Sequence, residues 1–71
     1  MTTAQQIIRD NQFYYPMILS EAKILGELTS TTFSTTPHND IEHQFYRFLD
    51  GSLLEVELVN NIVRNFRELG A

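Results

Sequence analysis

The sequence predicts an α+β fold, a small three-stranded antiparallel meander with two N-terminal helical segments and one C-terminal helix packed on one face. Three observations carry this. Apolar residues near the N-terminus recur at helical spacing. An Asp-Gly turn sits between two alternating runs in the middle of the chain. A single apolar stripe then marks the C-terminal segment.

The N-terminal helix is signalled by Thr2 and Thr3, each followed three residues on by a glutamine, Gln5 and Gln6, in a capping-box pattern. Ala4, Ile7 and Ile8 form its apolar stripe, and Asn11 marks its end. Phe13-Tyr14-Tyr15-Pro16 interrupts the pattern. Proline suits the first turn of a helix, where its missing N–H costs nothing, so a second helix opens at Pro16. Ile18, Ala22 and Leu25 supply its stripe, Met17, Ile24 and Leu28 widen it, and Gly26 is a C-cap candidate. A single bent helix is the alternative.

Thr29 to Thr36 is almost entirely serine and threonine. The branched Cβ of threonine favours extended backbone, which makes this an edge strand with Phe33 as its one anchor. A flexible polar loop is the competing reading. Pro37-His38-Asn39-Asp40 reads as a turn, because proline presets φ and Asn and Asp cap locally.

The strongest local signal runs from Tyr46 to Leu58, where alternation flanks Asp50-Gly51. A two-residue turn would pair Phe45 with Val56. A three-residue turn on Leu49-Asp50-Gly51, with a G1 bulge at Gly51, would pair Tyr46 with Leu54 and Gln44 with Val56. The second puts Tyr46, Phe48, Leu54, Val56 and Leu58 on one face and His43, Arg47, Glu55 and Glu57 on the other, so it is preferred. It leaves Ile41, Phe45 and Leu53 on the outer face. Finally, Val59, Ile62, Val63, Phe66 and Leu69 follow helical spacing and predict a helix over Asn60 to Leu69, stopped by Gly70.

At 71 residues the chain has room for one domain, 1–71. So short a chain buries only about 60% of the surface it exposes when unfolded, and burial between subunits could add to a thin core. There is no cysteine, hence no disulfide, zinc-thiolate site or thiol nucleophile, and a reducing cytoplasm is expected. No apolar run approaches the length of a membrane helix, and the first residues lack the pattern of a signal peptide.

The net charge of −4 is concentrated between Asp40 and Glu57, where five acids face one base, Arg47. Direct binding to nucleic acid calls for a basic face and is not expected.

Candidate chemistry is sparse. His38, Asp40, Glu42 and His43 carry metal-ligating groups within six residues, but strand alternation separates Glu42 from His43 and no standard ligand spacing occurs. Glu55 and Glu57 share a strand face, as paired acid–base carboxylates would, yet cross-strand charge pairing with His43 and Arg47 accounts for them. No nucleophile elbow or phosphate-binding glycine loop is present. No catalytic, cofactor-binding or metal residue is therefore assigned, and no cofactor is expected.

Two apolar patches remain. Phe13, Tyr14 and Tyr15 cannot all face one core, and Phe45 and Leu53 lie on the outer sheet face. Both are candidate interaction surfaces. The expected role is a protein–protein interaction or regulatory module acting as a homodimer, through the Phe13 patch, the Phe45 face or the edge strand, with no membrane association. The alternatives are an acidic decoy for a basic nucleic-acid site on another protein and a small metal-dependent or acid–base enzyme.

Overall fold

A computed structural model describes residues 1–70. Two helices, α1 (Thr3–Asp10) and α2 (Tyr15–Leu25), precede four strands: β1 (Gly26–Thr35), β2 (Asp40–Phe48), β3 (Leu53–Val59) and β4 (Ile62–Leu69). The strands form one antiparallel sheet in the order β1-β2-β3-β4. The expected three-stranded meander with a C-terminal helix is thus corrected to a four-stranded meander with both helices at the N-terminus.

α1 opens with the expected capping box. The Thr2 hydroxyl accepts the Gln5 N–H at 3.1 Å, and the Gln5 side chain accepts the Thr2 N–H at 2.9 Å. Asn11 ends the helix, its side-chain amide donating to the Ile7 carbonyl at 2.9 Å. Pro16 stands in the first turn of α2, and Gly26 caps it by donating its N–H to the Ala22 carbonyl. Gly26 is demanded by space, not by φ. A Cβ there would lie 2.7 Å from the Phe48 ring.

The threonine-rich segment is an edge strand, as read, but Phe33 does not anchor it. Its side chain is 76% exposed. The three-residue turn is also the one formed. Gly51 (φ 86°) donates to the Phe48 carbonyl at 2.9 Å, and Phe48 donates to the Ser52 carbonyl at 3.0 Å. Tyr46 pairs with Leu54 and Gln44 with Val56.

The C-terminal correction has a definite cause. Asn60 and Asn61 both adopt left-handed backbone (φ 52° and 68°), forming a two-residue hairpin turn between Val59 and Ile62. Asparagine tolerates this conformation better than other non-glycine residues. The Asn60 side chain fixes the turn by accepting the Asp40 N–H at 2.9 Å, while the Asn60 N–H donates to the Asp40 carbonyl at 2.8 Å. In β4, Leu58 opposes Val63 and Glu57 opposes Asn65, so Arg64 is an extra, bulged residue. The bulge spaces Val63 and Phe66 three apart on one face, which imitates a helical stripe. Ile62, expected in the core, points outward and is 56% exposed.

The core lies between the helices and one sheet face. Ala4 and Ile7 of α1 and Ile18 and Ala22 of α2 meet Tyr46, Phe48, Leu54, Val56, Leu58 and Val63, with Phe66 packed at the margin. The α2 stripe is narrower than expected, since Met17, Ile24 and Leu25 are exposed. The molecule measures 39 × 25 × 20 Å because the strands outrun the helices.

Candidate functional site

Among the described residues no element covers the face of the sheet opposite the helices. Strand register places Ile41, His43, Phe45 and Arg47 of β2 on it, beside Leu53, Glu55, Glu57 and Val59 of β3 and Ile62, Asn65, Arg67 and Leu69 of β4. Ile41, Val59 and Ile62 occupy one rung at one end of this face. Leu53 and Leu69 pair at the other end. Phe45 stands between them, half-buried among its neighbours.

The centre of the face is polar and internally paired. The His43 ring nitrogen Nε2 lies 2.9 Å from Glu57 Oε2. Arg67 Nε donates to Glu55 Oε2 at 2.7 Å. Arg47 turns the other way and meets Glu27 of β1 at 3.4 Å. Each carboxylate thus has its own cross-strand base, and Glu55 and Glu57 do not converge on a shared point. The depression they line, with His43, Asn65 and Arg67, has a volume of about 310 Å³ and lies open on the sheet surface. It resembles a ladder of paired charges more than an enclosure for acid–base chemistry.

His38 sits exposed in the β1–β2 turn, apart from His43 on the outer face, so the histidines and Asp40 are not brought together. Among the described residues no group of three His, Asp or Glu side chains could share a metal ion.

Asp50, Glu68 and Glu42 do local structural work. Asp50 accepts from the Ser52 hydroxyl at 2.6 Å and N–H at 3.0 Å, and from the Thr3 N–H at 2.7 Å. The Ser52 hydroxyl first, then the Thr3 and Ser52 N–H groups, hold its carboxyl well below the usual carboxylate range. Glu68 accepts from the Thr2 hydroxyl at 2.6 Å and from Gln5 at 2.9 Å. Two carboxylates therefore sit at the start of α1, where the helix dipole favours them. On the helix side of β2, Tyr46 donates to Gln44 at 2.6 Å and Gln44 donates to Glu42 at 2.8 Å. Burial, then the Glu42 charge, pushes the Tyr46 phenol up.

No family model, curated protein or solved structure matches this chain.

The Phe13-Tyr14-Tyr15 patch is divided by the fold. Tyr15 packs edge-on against Phe66, with ring centres 4.8 Å apart. Phe13 and Tyr14 project from the turn between the helices, and Phe13 is 94% exposed. Phe45 and Leu53 lie on the bare sheet face as the register required. Val59, Ile62 and Leu69 also belong to that face, although their spacing in the sequence is that of a helix stripe. The Asn60-Asn61 pair between two β-branched residues was the signal that could have found them.

Proposed function

We propose that this chain is a protein-binding module that docks an apolar surface of a partner protein on the outer face of its sheet. One observation carries the reading. No other element among the described residues covers the face, and it interleaves Ile41, Phe45, Leu53, Val59, Ile62 and Leu69 with polar groups already bonded to one another. A sheet face meant only for water is expected to be polar throughout. Apolar side chains at both ends of an open face favour a partner. Arg67 neutralises Glu55 and the His43 ring hydrogen-bonds Glu57, so the polar groups at the centre are engaged within the face, which favours an apolar partner over a nucleic acid. Pairing of Glu55 with Arg67 also weakens the acidic-decoy reading, because a decoy must present its charge. A cytoplasmic setting belongs to the same proposal and rests on the cysteine-free sequence.

The test is a photo-crosslinking amino acid placed in cells at Phe45 or Leu53, with Lys23 on the exposed side of α2 as the control. Discrete protein adducts are expected from the two sheet positions and not from the helix. Absence of adducts at both sheet positions, or the same adducts at all three, would remove this reading.

A further inference from the structure

We propose that two copies of this chain join through β1, pairing antiparallel about a two-fold axis near Thr32 or Phe33 to form a continuous eight-stranded sheet. β1 is an outermost strand of ten residues, hydrogen-bonded on one side to β2 and open on the other. Such an edge presents unpaired backbone N–H and C=O groups, which proteins ordinarily block with charge, proline or a bulge. The two edges of this sheet are treated differently. β4 carries Arg64, Arg67 and Glu68 and a bulge within eight residues. β1 has its one register shift near Thr29, and from Ser30 to Thr35 it is regular, uncharged and free of proline.

Charge permits a second copy as the occupant, and the exposed Phe33 ring, which a two-fold contact sets against its own copy, favours one. The chain has a net charge of −4, so two copies repel wherever acids meet. The stretch from Leu28 to Asn39 contains no Asp, Glu, Lys or Arg, and it includes the whole regular part of the β1 edge. Pairing about Thr32 or Phe33 sends the two Glu27 side chains to opposite ends of the contact, roughly 35–40 Å apart at the strand rise per residue. That is several screening lengths at physiological salt.

Phe33 supplies the apolar contact. It lies on the helix-side face, pairs with Glu42 and is covered by neither helix. With the axis at Phe33 the two rings are directly opposed, and with the axis at Thr32 they are diagonal neighbours. Either arrangement brings them within reach of one another. A two-fold contact of this kind closes at two copies, and both helix layers fall on the same side of the joined sheet. The outer face is left free, so this contact is separate from the docking face proposed above. A strand pair of this length buries less than the about 800 Å² per partner of a standard interface, so a micromolar dissociation constant is expected.

Sedimentation velocity on the full chain from about 1 to about 100 µM reads the result, a range that brackets a micromolar constant. A species of twice the 8.3 kDa chain mass is expected at the upper end. Thr32→Lys puts a charge on the edge and Phe33→Ser removes the ring, and each should weaken association by about tenfold or more. Phe45→Asp on the outer face should leave the dimer unchanged. On the unmodified protein, amides of residues 30–35 should exchange more slowly as concentration rises, a readout that needs no variant to fold. A monomer at the highest concentration overturns the proposal, and so does a dimer insensitive to Thr32→Lys and Phe33→Ser. Loss of the dimer in Phe45→Asp alone would move the contact to the outer face. Species that grow beyond two copies would replace the two-fold contact with head-to-tail pairing of β1 on β4.

Discussion

The two ends of the sheet are built by different rules. At the end near the Leu49–Gly51 turn, both helices close over the strands. Ile7, Ile18, Ala22, Leu54 and Val56 are all buried there, and Asp50 ties the turn to the first residue of α1. At the other end, past Leu58 and Val63, the strands run on without helices. Phe33 and Ile62 stay exposed on opposite faces, and the ends are held by the hydrogen bonds of Asn60 and Thr36. The lesson is that one end carries the packing that folds the domain, while the other is held mainly by strand pairing and remains available for contact. A small core can cover only part of four long strands.

Several substitutions break or sharpen that contrast. Leu54→Ala, in the middle of the covered end, should cost about 2–5 kcal/mol, enough to unfold much of so small a protein. Urea denaturation measures it, and a loss below about 1 kcal/mol would show that the helices do not carry the stability assigned to them. Gly26→Ala forces a methyl group against the Phe48 ring and should cost about 1–3 kcal/mol by the same assay. A neutral result would mean that α2 can shift away from the sheet at no cost.

At the open end, Asn60→Ala removes the side-chain bond to Asp40 and leaves alanine in left-handed backbone, for an expected loss of about 1–2 kcal/mol. A larger loss than that of Leu54→Ala would invert the comparison. Asp50→Asn tests the covered end through pH. The folded carboxyl titrates below its ordinary value near 3.8, so its contribution is fully present above that value and is lost as pH falls through the lower folded one. The difference in melting temperature between parent and variant should be constant from neutral pH down to about 5 and shrink below about 4. A gap that persists unchanged in strong acid would mean the carboxylate charge is not involved.

The smallest effect is expected from Phe33→Ser at low concentration. With its ring in solvent, the monomer should change by no more than about 0.5 kcal/mol. A large loss would show that Phe33 belongs to the folding core after all.

The sequence by itself determined the features that rest on local chemistry. The capping box at Thr2, the helix start at Pro16, the extended threonine run and the three-residue turn at Asp50-Gly51 each depend on residues a few positions apart. The turn then set the register, which placed Phe45 and Leu53 on the outer face. Tertiary structure decided the rest. Apolar spacing reports which side chains share a face, and it identifies a helix only when no strand is bulged. Over Val59 to Leu69 the bulge at Arg64 gives two strand residues the spacing of a helical stripe. Both conformations turn Val63 and Phe66 toward the core, so local preference could not choose between them. The strand is set by the Asn60-Asn61 turn, which hydrogen bonds to the distant Asp40 hold in left-handed backbone, so the chain reverses alongside β3 and pairs with it. That choice completed the outer face by adding Ile62 and Leu69, side chains whose roles depend on pairing with a neighbouring strand and not on any neighbour in sequence.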